Sequence, residues 1–144
     1  MVNVPGSWKN GHEKDVLESF ERGERELKNA EKFLEIDLIT ATNRIYVSGE
    51  NLAFSLITAV YGSSTRDHGK MWNKIHELYQ RGIIKADFKP TLETSYRLRI
   101  KGDYGRDIDG VVIINKGILK SQINSLKEFL EEVRRVLNDR GFIE

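Results

Sequence analysis

The sequence predicts an all-α protein built as an antiparallel four- to five-helix bundle. Three observations lead to this fold class. Apolar residues recur at alternating spacings of three and four along most of the chain, which is the period of a helix with one buried face. Residues that cap or break helices separate these stretches. A β-branched run at 111–114 is too short and too isolated to form a sheet, so extended packing over the bundle is expected there.

The composition bounds the number of domains and the compartment. With 144 residues, 39% of them hydrophobic, the chain is long enough for one core. We expect a single helical domain at residues 13–140 after an irregular arm at residues 1–12, where Pro5, Gly6 and Gly11 occur. The absence of cysteine excludes a disulfide scaffold and fits a reducing compartment. Because no long apolar run or signal-like start occurs, we expect a cytoplasmic protein with no membrane partner.

The first two helices differ in how many of their faces are apolar. The first carries one apolar stripe, formed by Val16, Phe20, Gly23, Leu27, Ala30 and Leu34. Its other side offers Glu–Arg and Glu–Lys pairs at i,i+4, namely Glu18/Arg22, Glu21/Arg25 and Glu24/Lys28. The second helix, Leu38–Tyr61, has two apolar faces, which predicts either a central position or a dimer interface. Ser48 and Gly49 in its middle predict the close approach of a neighbouring backbone.

Caps and breaks place the remaining helices. After Gly62, either Ser64 or Thr65 is the expected cap of a third helix that ends near Arg81. Pro90 suits the first turn of a fourth helix that runs toward Gly102, and residues 105–110 are expected to form a loop. The last helix begins near Asn115. Its apolar residues follow a strict four–three spacing and are Leu119, Ile123, Leu126, Leu130, Val133 and Leu137.

The charges are unevenly distributed although the net charge is only +1. Residues 13–37 hold nine acids and five bases, whereas residues 66–106 hold ten bases and five acids. One face of the fold is therefore expected to be basic. The segment 95–105 predicts a phosphate-facing site for a nucleotide or RNA. Its expected binding residues are Arg97, Arg99, Lys101, Asp103 and Tyr104, with Tyr96 as a further stacking face.

These residues also have a purely structural interpretation. Arg97, Arg99 and Lys101 alternate around a helix, so at most two of them address one ligand, and a solvated helix end is the alternative. Asp103 has Arg99 as an i,i+4 partner. His68 follows a helix cap, where free N–H groups attract an anion. A lone histidine, however, is more often a hydrogen-bonding group than a catalyst.

Other site chemistries have no motif in this sequence. His12, His68 and His76 are scattered and lack a clustered carboxylate pair, so we expect no metal ion. The sequence has no Gly-x-x-x-x-Gly-Lys loop, Gly-x-Gly-x-x-Gly turn, Gly-x-Ser-x-Gly elbow or His-Glu-x-x-His helix. These absences argue against a conventional nucleotide hydrolase, dehydrogenase or esterase, and no cofactor is expected.

Three segments resemble the HEPN domain family, named for nucleotide binding in higher eukaryotes and prokaryotes. They are Asn43-Arg-Ile-Tyr46 in the second helix, the break at Gly62 followed by His68, and Leu98-Arg-Ile-Lys-Gly-Asp-Tyr104. The resemblance covers residues 13–137 and is closest to small stand-alone archaeal and bacterial members. It implies a HEPN-like bundle of four or five helices that forms a homodimer and is paired with a minimal nucleotidyltransferase in a toxin–antitoxin-like system.

Some HEPN proteins resemble toxins that cleave RNA without a metal through an Arg-x(4–6)-His motif with a tyrosine close behind. Here Asp103 stands six residues after Arg97, in the place of the histidine. A carboxylate is a poor proton donor to the leaving 5′-oxygen at neutral pH and repels phosphate, so the replacement argues against an enzyme. The remaining catalytic candidates are Arg97, Asp103 and His68. The resemblance marks Tyr104 as the residue to which the nucleotidyltransferase would add AMP.

These observations predict a HEPN-domain protein associated with nucleotides or RNA, acting as the partner of a minimal nucleotidyltransferase. One alternative is a metal-independent endoribonuclease that uses Arg97, Arg99, Asp103 and Tyr104 with help from His68. The other is a non-catalytic helical interaction module.

Overall fold

A computed structural model describes the backbone of residues 5–104 and 114–144 and the side chains of residues 12–100 and 114–144. This part of the chain forms five α-helices and no strand, which confirms the all-α class. The helices are α1 (Pro5–Phe33), α2 (Leu38–Tyr61), α3 (His68–Gln80), α4 (Lys89–Tyr104) and α5 (Lys116–Asp139). The loop expected at 105–110 and the residues 111–113 lie outside the described residues. Within those ranges no helix has both the length and the apolar character that a membrane crossing requires.

The apolar stripes read from the sequence form the core. Leu119, Leu126, Val133 and Leu137 of α5 are fully buried, and so are Val16 and Ala30 of α1. Phe129 of α5 is also fully buried and packs on Phe88, with ring centroids 4.8 Å apart. The four–three spacing of apolar residues therefore located the inner faces of the first and last helices correctly.

The beginning of α1 differs from the expected irregular arm. The helix begins at Pro5. Proline suits the first turn of a helix because the N–H that it lacks would have no partner there. The backbone of residues 5–12 is therefore helical, although Gly6 and Gly11 are poor helix formers. Residues 1–4 lie outside the described residues.

The cap of α3 is Asp67 rather than Ser64 or Thr65. The Asp67 carboxylate accepts a hydrogen bond from the Lys70 backbone N–H at 3.0 Å. The Thr65 hydroxyl accepts a hydrogen bond from the Asp67 backbone N–H, also at 3.0 Å, and so holds the capping residue. Since aspartate caps as well as serine does, the sequence alone did not separate these candidates. The observed cap makes His68 the first residue of α3.

α2 lies at the centre of the bundle and contacts the other four helices. Both of its apolar faces are covered, because Ile45 and Leu52 on one face and Ala53 and Ile57 on the other are buried. The structure therefore agrees with the central position and not with a free interface along this helix. The homodimer remains a prediction that no longer follows from the apolar faces of α2.

The close backbone approach expected at Ser48 and Gly49 is present. The Ser48 hydroxyl donates a hydrogen bond to the Gly23 carbonyl on α1 at 2.7 Å. A Cβ added at Gly23 would lie 2.7 Å from the Leu52 side chain and 3.2 Å from its backbone nitrogen. A Cβ added at Gly49 would lie 2.9 Å from the Leu92 side chain of α4. Small residues thus let α2 pack tightly against α1 and α4.

We expect Gly23→Ala to lower the free energy of unfolding by about 1 kcal/mol. Alanine favours a helix by about 1 kcal/mol over glycine, but overpacking against Leu52 costs roughly 1–3 kcal/mol. Urea unfolding would measure the change as a shift of the midpoint at constant slope. Gly69→Ala is the matched control, because its Cβ would meet only the Asp67 carboxylate at 3.7 Å, and we expect it to stabilise. A stabilised Gly23→Ala variant would contradict the tight contact.

The i,i+4 ion pairs expected along α1 are not formed. Glu24 instead pairs with Arg134 of α5, with 2.7 Å between Oε2 and Nη2. Glu26, which is buried, pairs with Arg44 of α2. The acidic residues of α1 therefore tie it to neighbouring helices. The sequence could not indicate this, because i,i+4 spacing carries no information about partners on other helices.

Candidate functional site

Side chains from three helices meet on one side of the bundle and form a group that we name the aromatic cluster. Its closest ring pair joins His68 and Tyr96, whose centroids lie 4.7 Å apart, and its other ring pairs are 5.5–6.1 Å apart. Its members are Tyr46 and Glu50 of α2, His68 and Trp72 of α3, and Tyr96 and Arg99 of α4.

Helical spacing explains why each helix contributes two side chains to the aromatic cluster. The α2 and α3 members are four residues apart, and the α4 members are three apart, so each pair shares one helix face. The Asp67 cap fixes the first turn of α3 and with it the position of His68. The tight packing of α2 against its neighbours fixes the positions of Tyr46 and Glu50.

His68 has the chemistry of a proton-transfer group in this arrangement. The Tyr46 hydroxyl lies 3.2 Å from Nδ1 and 3.4 Å from Nε2 of its imidazole. The Glu50 carboxylate oxygen Oε2 lies 4.0 Å from Nδ1, and the His68 side chain is 36% exposed. The imidazole therefore contacts a hydroxyl and a carboxylate while it remains accessible to solvent. Histidine is the side chain whose ordinary pKa suits proton exchange near neutral pH.

The Tyr46 hydroxyl contacts His68, and the Glu50 carboxylate lies near it. Burial, and next the neighbouring Glu50 carboxylate, raise the pKa of the Tyr46 phenol far above its ordinary value, while the charge of Arg99 opposes this shift. The phenol is therefore protonated at neutral pH. Because it has one proton to donate, it can give that proton to Glu50 while it accepts a hydrogen bond from the imidazole, or give it to the imidazole.

Two arginines lie on opposite sides of Glu50 along α2: Arg99 belongs to the aromatic cluster, and Arg66 lies beside it. The Arg99 guanidinium carbon lies 4.6 Å from the centre of the Tyr46 ring, which is a cation–π contact. The Arg66 guanidinium stacks on Phe54 at 3.8 Å, and its Nη1 lies 3.9 Å from the Glu50 carboxylate. The Arg66 guanidinium makes no bidentate pair with Glu50, so it retains donors for an anion.

The two arginines predicted from the sequence occupy different environments. Arg97 is exposed, and its Nη2 lies 3.5 Å from the Thr94 hydroxyl. Arg99 is half-buried over Tyr46. This difference agrees with the expected divergence of side chains two residues apart on a helix. Arg99 therefore belongs to the aromatic cluster, and Arg97 lies on the surface of the same helix.

The other residues predicted on this helix lie in its last turn. Lys101, Asp103 and Tyr104 have helical backbones, and their side chains lie outside the described residues. The i,i+4 pair between Asp103 and Arg99 and the exposure of Tyr104 thus stay predictions.

The aromatic cluster is closely packed rather than open. A cavity of only about 10 Å³ lies beside Tyr46, Glu50, His68 and Trp72, above the buried Met71. This volume holds roughly one water molecule. A nucleotide needs a pocket of roughly 300 Å³ or more, so it cannot enter between the rings as they stand. A ligand would instead contact the rim, where the imidazole, the carboxylate and the guanidinium groups are.

Sequence reasoning missed half of this site. Tyr46 was interpreted as part of an apolar face of α2 and of a segment that resembles the HEPN family, Trp72 only as a packing residue of α3, and Glu50 was not singled out. The available signal was the i,i+4 pairing of a polar with an aromatic residue on both α2 and α3. That pattern is common on amphipathic helices, and it becomes informative only when the two faces are known to meet.

His76 has surroundings of its own, at the junction of α3 and α4. His76 Nδ1 lies 2.8 Å from the Asp87 carboxylate, next to the first turn of α4, where Asp87 also accepts a hydrogen bond from the Lys89 backbone N–H. This pair fastens α3 to the start of α4. In the ranges 12–100 and 114–144, no three histidine, aspartate or glutamate side chains converge as a metal site would require.

No protein-family model and no curated protein sequence matches this chain. The described residues thus define a bundle of five helices with an aromatic cluster that contains His68 and Arg99 and has Arg66 beside it. The HEPN assignment stays a prediction from the three segments that resemble that family.

Proposed function

We propose that this protein is a HEPN-like RNA-associated protein that binds an RNA strand across the rim of the aromatic cluster. The observation that carries the proposal is the meeting of Arg99 and His68 at Tyr46. The guanidinium approaches the ring from α4, and the imidazole approaches the hydroxyl from α3. Cations beside aromatic rings are the usual components of surfaces that bind single-stranded nucleic acid.

The geometry favours a strand over a single nucleotide. The cavity of about 10 Å³ cannot enclose a base, whereas a polynucleotide needs only surface contacts for its phosphates. Arg97 adds an exposed guanidinium on α4, and Arg66 adds one on the opposite side of Glu50. The Glu50 carboxylate opposes phosphate binding, but Arg66 lies close enough to offset its charge.

Binding of labelled single-stranded RNA, measured by fluorescence anisotropy over a range of KCl concentrations, tests this proposal. We expect affinity to fall steeply with salt, because phosphate binding releases counterions. The variants of Arg97 and Arg99 then assign the binding to this surface. Absence of salt-dependent binding would contradict the proposal and favour the non-catalytic interaction module.

The proposed partner is a minimal nucleotidyltransferase, in a toxin–antitoxin-like pair, and the proposed assembly is a homodimer. The support for both is the resemblance of Leu98–Tyr104 and the other two segments to HEPN domains. Within that resemblance Tyr104 is the acceptor of AMP. AMP on Tyr104 would add a bulky anion one or two turns of helix from Arg97 and Arg99, and it would oppose phosphate binding there.

We expect incubation with such a nucleotidyltransferase, ATP and magnesium to add one AMP to the native chain and none to Tyr104→Phe. Intact-mass spectrometry would detect the addition. Tyr79→Phe is the matched control, because Tyr79 is an exposed tyrosine of α3, and this variant should be modified like the native chain. An AMP adduct that persists in Tyr104→Phe would show that the acceptor is a different residue.

A second candidate function is metal-independent RNA cleavage, and one observation favours it. His68 brings an imidazole to the same cluster as Arg99, and this imidazole would take the place of the histidine that is missing from position 103. His68 would exchange protons with the ribose 2′-hydroxyl or the leaving 5′-oxygen, and Arg99 would stabilise the charged phosphate.

A further inference from the structure

A second concave surface lies on the other side of α3, away from the aromatic cluster. It has a volume of about 540 Å³, within the range of small-molecule sites. We name it the α2–α3 groove, because it lies between the end of α2, the connection to α3 and the outer face of α3. Its lining residues are Ile57, Tyr61, Ser63, Ser64, Thr65, Lys70, Asn73, Lys74 and Glu77.

The polar side chains of this groove are mostly hydrogen-bond donors. The Lys70 ammonium has no ion-pair or hydrogen-bond partner among the described residues, and Lys74 lies 3.5 Å from Glu77. The Asn73 amide oxygen accepts a hydrogen bond from the Lys89 ammonium at 3.0 Å. That bond orients the amide so that its two N–H donors remain for a ligand. The Thr65 hydroxyl accepts from the Asp67 backbone N–H, which leaves its proton to be donated.

The charge of the groove is positive even though Glu77 lines it. The Glu77 carboxylate accepts a hydrogen bond from the Tyr61 hydroxyl. This bond is the largest cause that lowers the pKa of Glu77, and the charges of Lys74 and Arg81 act in the same direction. Arg81 in turn donates to the Tyr61 hydroxyl at 3.1 Å. The carboxylate is therefore already compensated, and Lys70 contributes an additional positive charge.

An apolar floor accompanies these donors. Ile57 is buried in α2, and Tyr61 is half-buried one turn later, with its ring 4.6 Å from the Lys74 ammonium. Donors on the walls suit the several acceptor oxygens of a phosphate, whereas the floor suits an uncharged organic portion. Inorganic phosphate would contact only the donors and not the apolar floor.

We propose that the α2–α3 groove binds a small organic phosphate, with its phosphate held by Lys70, Lys74 and the Asn73 amide. This site does not depend on RNA binding at the aromatic cluster, since the two surfaces share none of their lining residues. A free mononucleotide and the 5′-phosphate end of an RNA chain present the same chemistry. The volume of the groove favours the free molecule.

AMP is the probe, and calorimetry with ¹H–¹⁵N NMR of the full chain is the measurement. We expect AMP to shift the amide signals of residues 63–65 and 70–74 and to bind more tightly than inorganic phosphate. Lys70→Ala/Lys74→Ala should weaken AMP binding at least about tenfold, because each charge-assisted hydrogen bond contributes roughly 1.5–3 kcal/mol. Lys28→Ala/Lys120→Ala, which removes two exposed lysines of α1 and α5, should not change it.

The Arg97→Ala/Arg99→Ala variant separates this site from the proposed RNA surface and should bind AMP like the native chain. Equal binding of phosphate and AMP would overturn the proposal. Shifts confined to the aromatic cluster, or no AMP binding at millimolar concentration, would overturn it as well. Capture of RNA with a 5′-phosphate that depends on Lys70 and Lys74, without AMP binding, would assign the groove to the end of an RNA chain instead.

Discussion

Replacing Arg97 and Arg99 together with alanine is expected to weaken RNA binding by about one to two orders of magnitude at low salt. Each guanidinium that contacts a phosphate contributes a charge-assisted hydrogen bond and releases a counterion. The slope of log affinity against log salt should become shallower by about 1.4, since each contact with a single strand contributes about 0.7. Anisotropy titrations at four or five salt concentrations would give both quantities.

Two controls make this result specific. Lys28→Ala/Lys120→Ala removes the same charge from exposed positions of α1 and α5, which contribute no side chain to the aromatic cluster, and it should change RNA affinity little. Arg99→Lys is the second control, because it keeps the positive charge but changes the packing on Tyr46. Thermal unfolding of the variants shows whether a loss of RNA affinity is accompanied by a loss of stability. Unchanged affinity and slope in the Arg97/Arg99 variant would mean that these arginines are only a solvated helix end.

Any RNA cleavage by the native chain is expected to fall by about 10²–10⁴-fold in His68→Ala. The reason is that general acid–base catalysis contributes an effect of this size and that His68 is the imidazole of the aromatic cluster. Cleavage of a labelled RNA in EDTA, followed over pH 5–9, would measure the rate. The pH dependence attributable to an imidazole should disappear together with the rate.

His76→Ala is the matched control for this prediction. Its imidazole is held by Asp87 at the junction of α3 and α4, so the cleavage rate should stay at the native value. Cleavage that survives in His68→Ala would exclude His68 as the proton-transfer group. If the native chain leaves RNA intact in EDTA, the ribonuclease candidate fails and the binding proposal is unaffected.

The sequence predicted the helices well because their signals are local. Spacing of apolar residues placed α2 at Leu38–Tyr61, and the last helix was expected to begin near Asn115, which is its cap. Errors occurred where two local signals compete. Ser64, Thr65 and Asp67 all qualify as caps, and Pro5 is compatible with an irregular segment as well as with a helix start.

The site was predictable only in part because it is assembled from helices that are distant in sequence. Arg99 was predicted from the basic segment and His68 from its position after a helix cap. Nothing in the sequence indicates that these two residues lie in the same cluster. Tyr46 joins them, and its role depends on the packing of α2 against α3 and α4. Such packing depends on how all the helices of the bundle are arranged. The sequence predicts which face of each helix is apolar, but it does not predict which faces meet.

The site residues lie near helix ends and the buried contacts lie in the middle of a helix, and this separation has an evolutionary consequence. His68 is the first residue of α3 and Arg99 lies in the last turns of α4, and both are partly exposed, whereas the middle of α2 carries the buried contacts. Substitutions at these two positions would therefore alter the chemistry of the surface while they leave the buried contacts of α2 in place. A lineage built on this bundle can gain or lose a reactive imidazole while its core sequence stays under the same constraint.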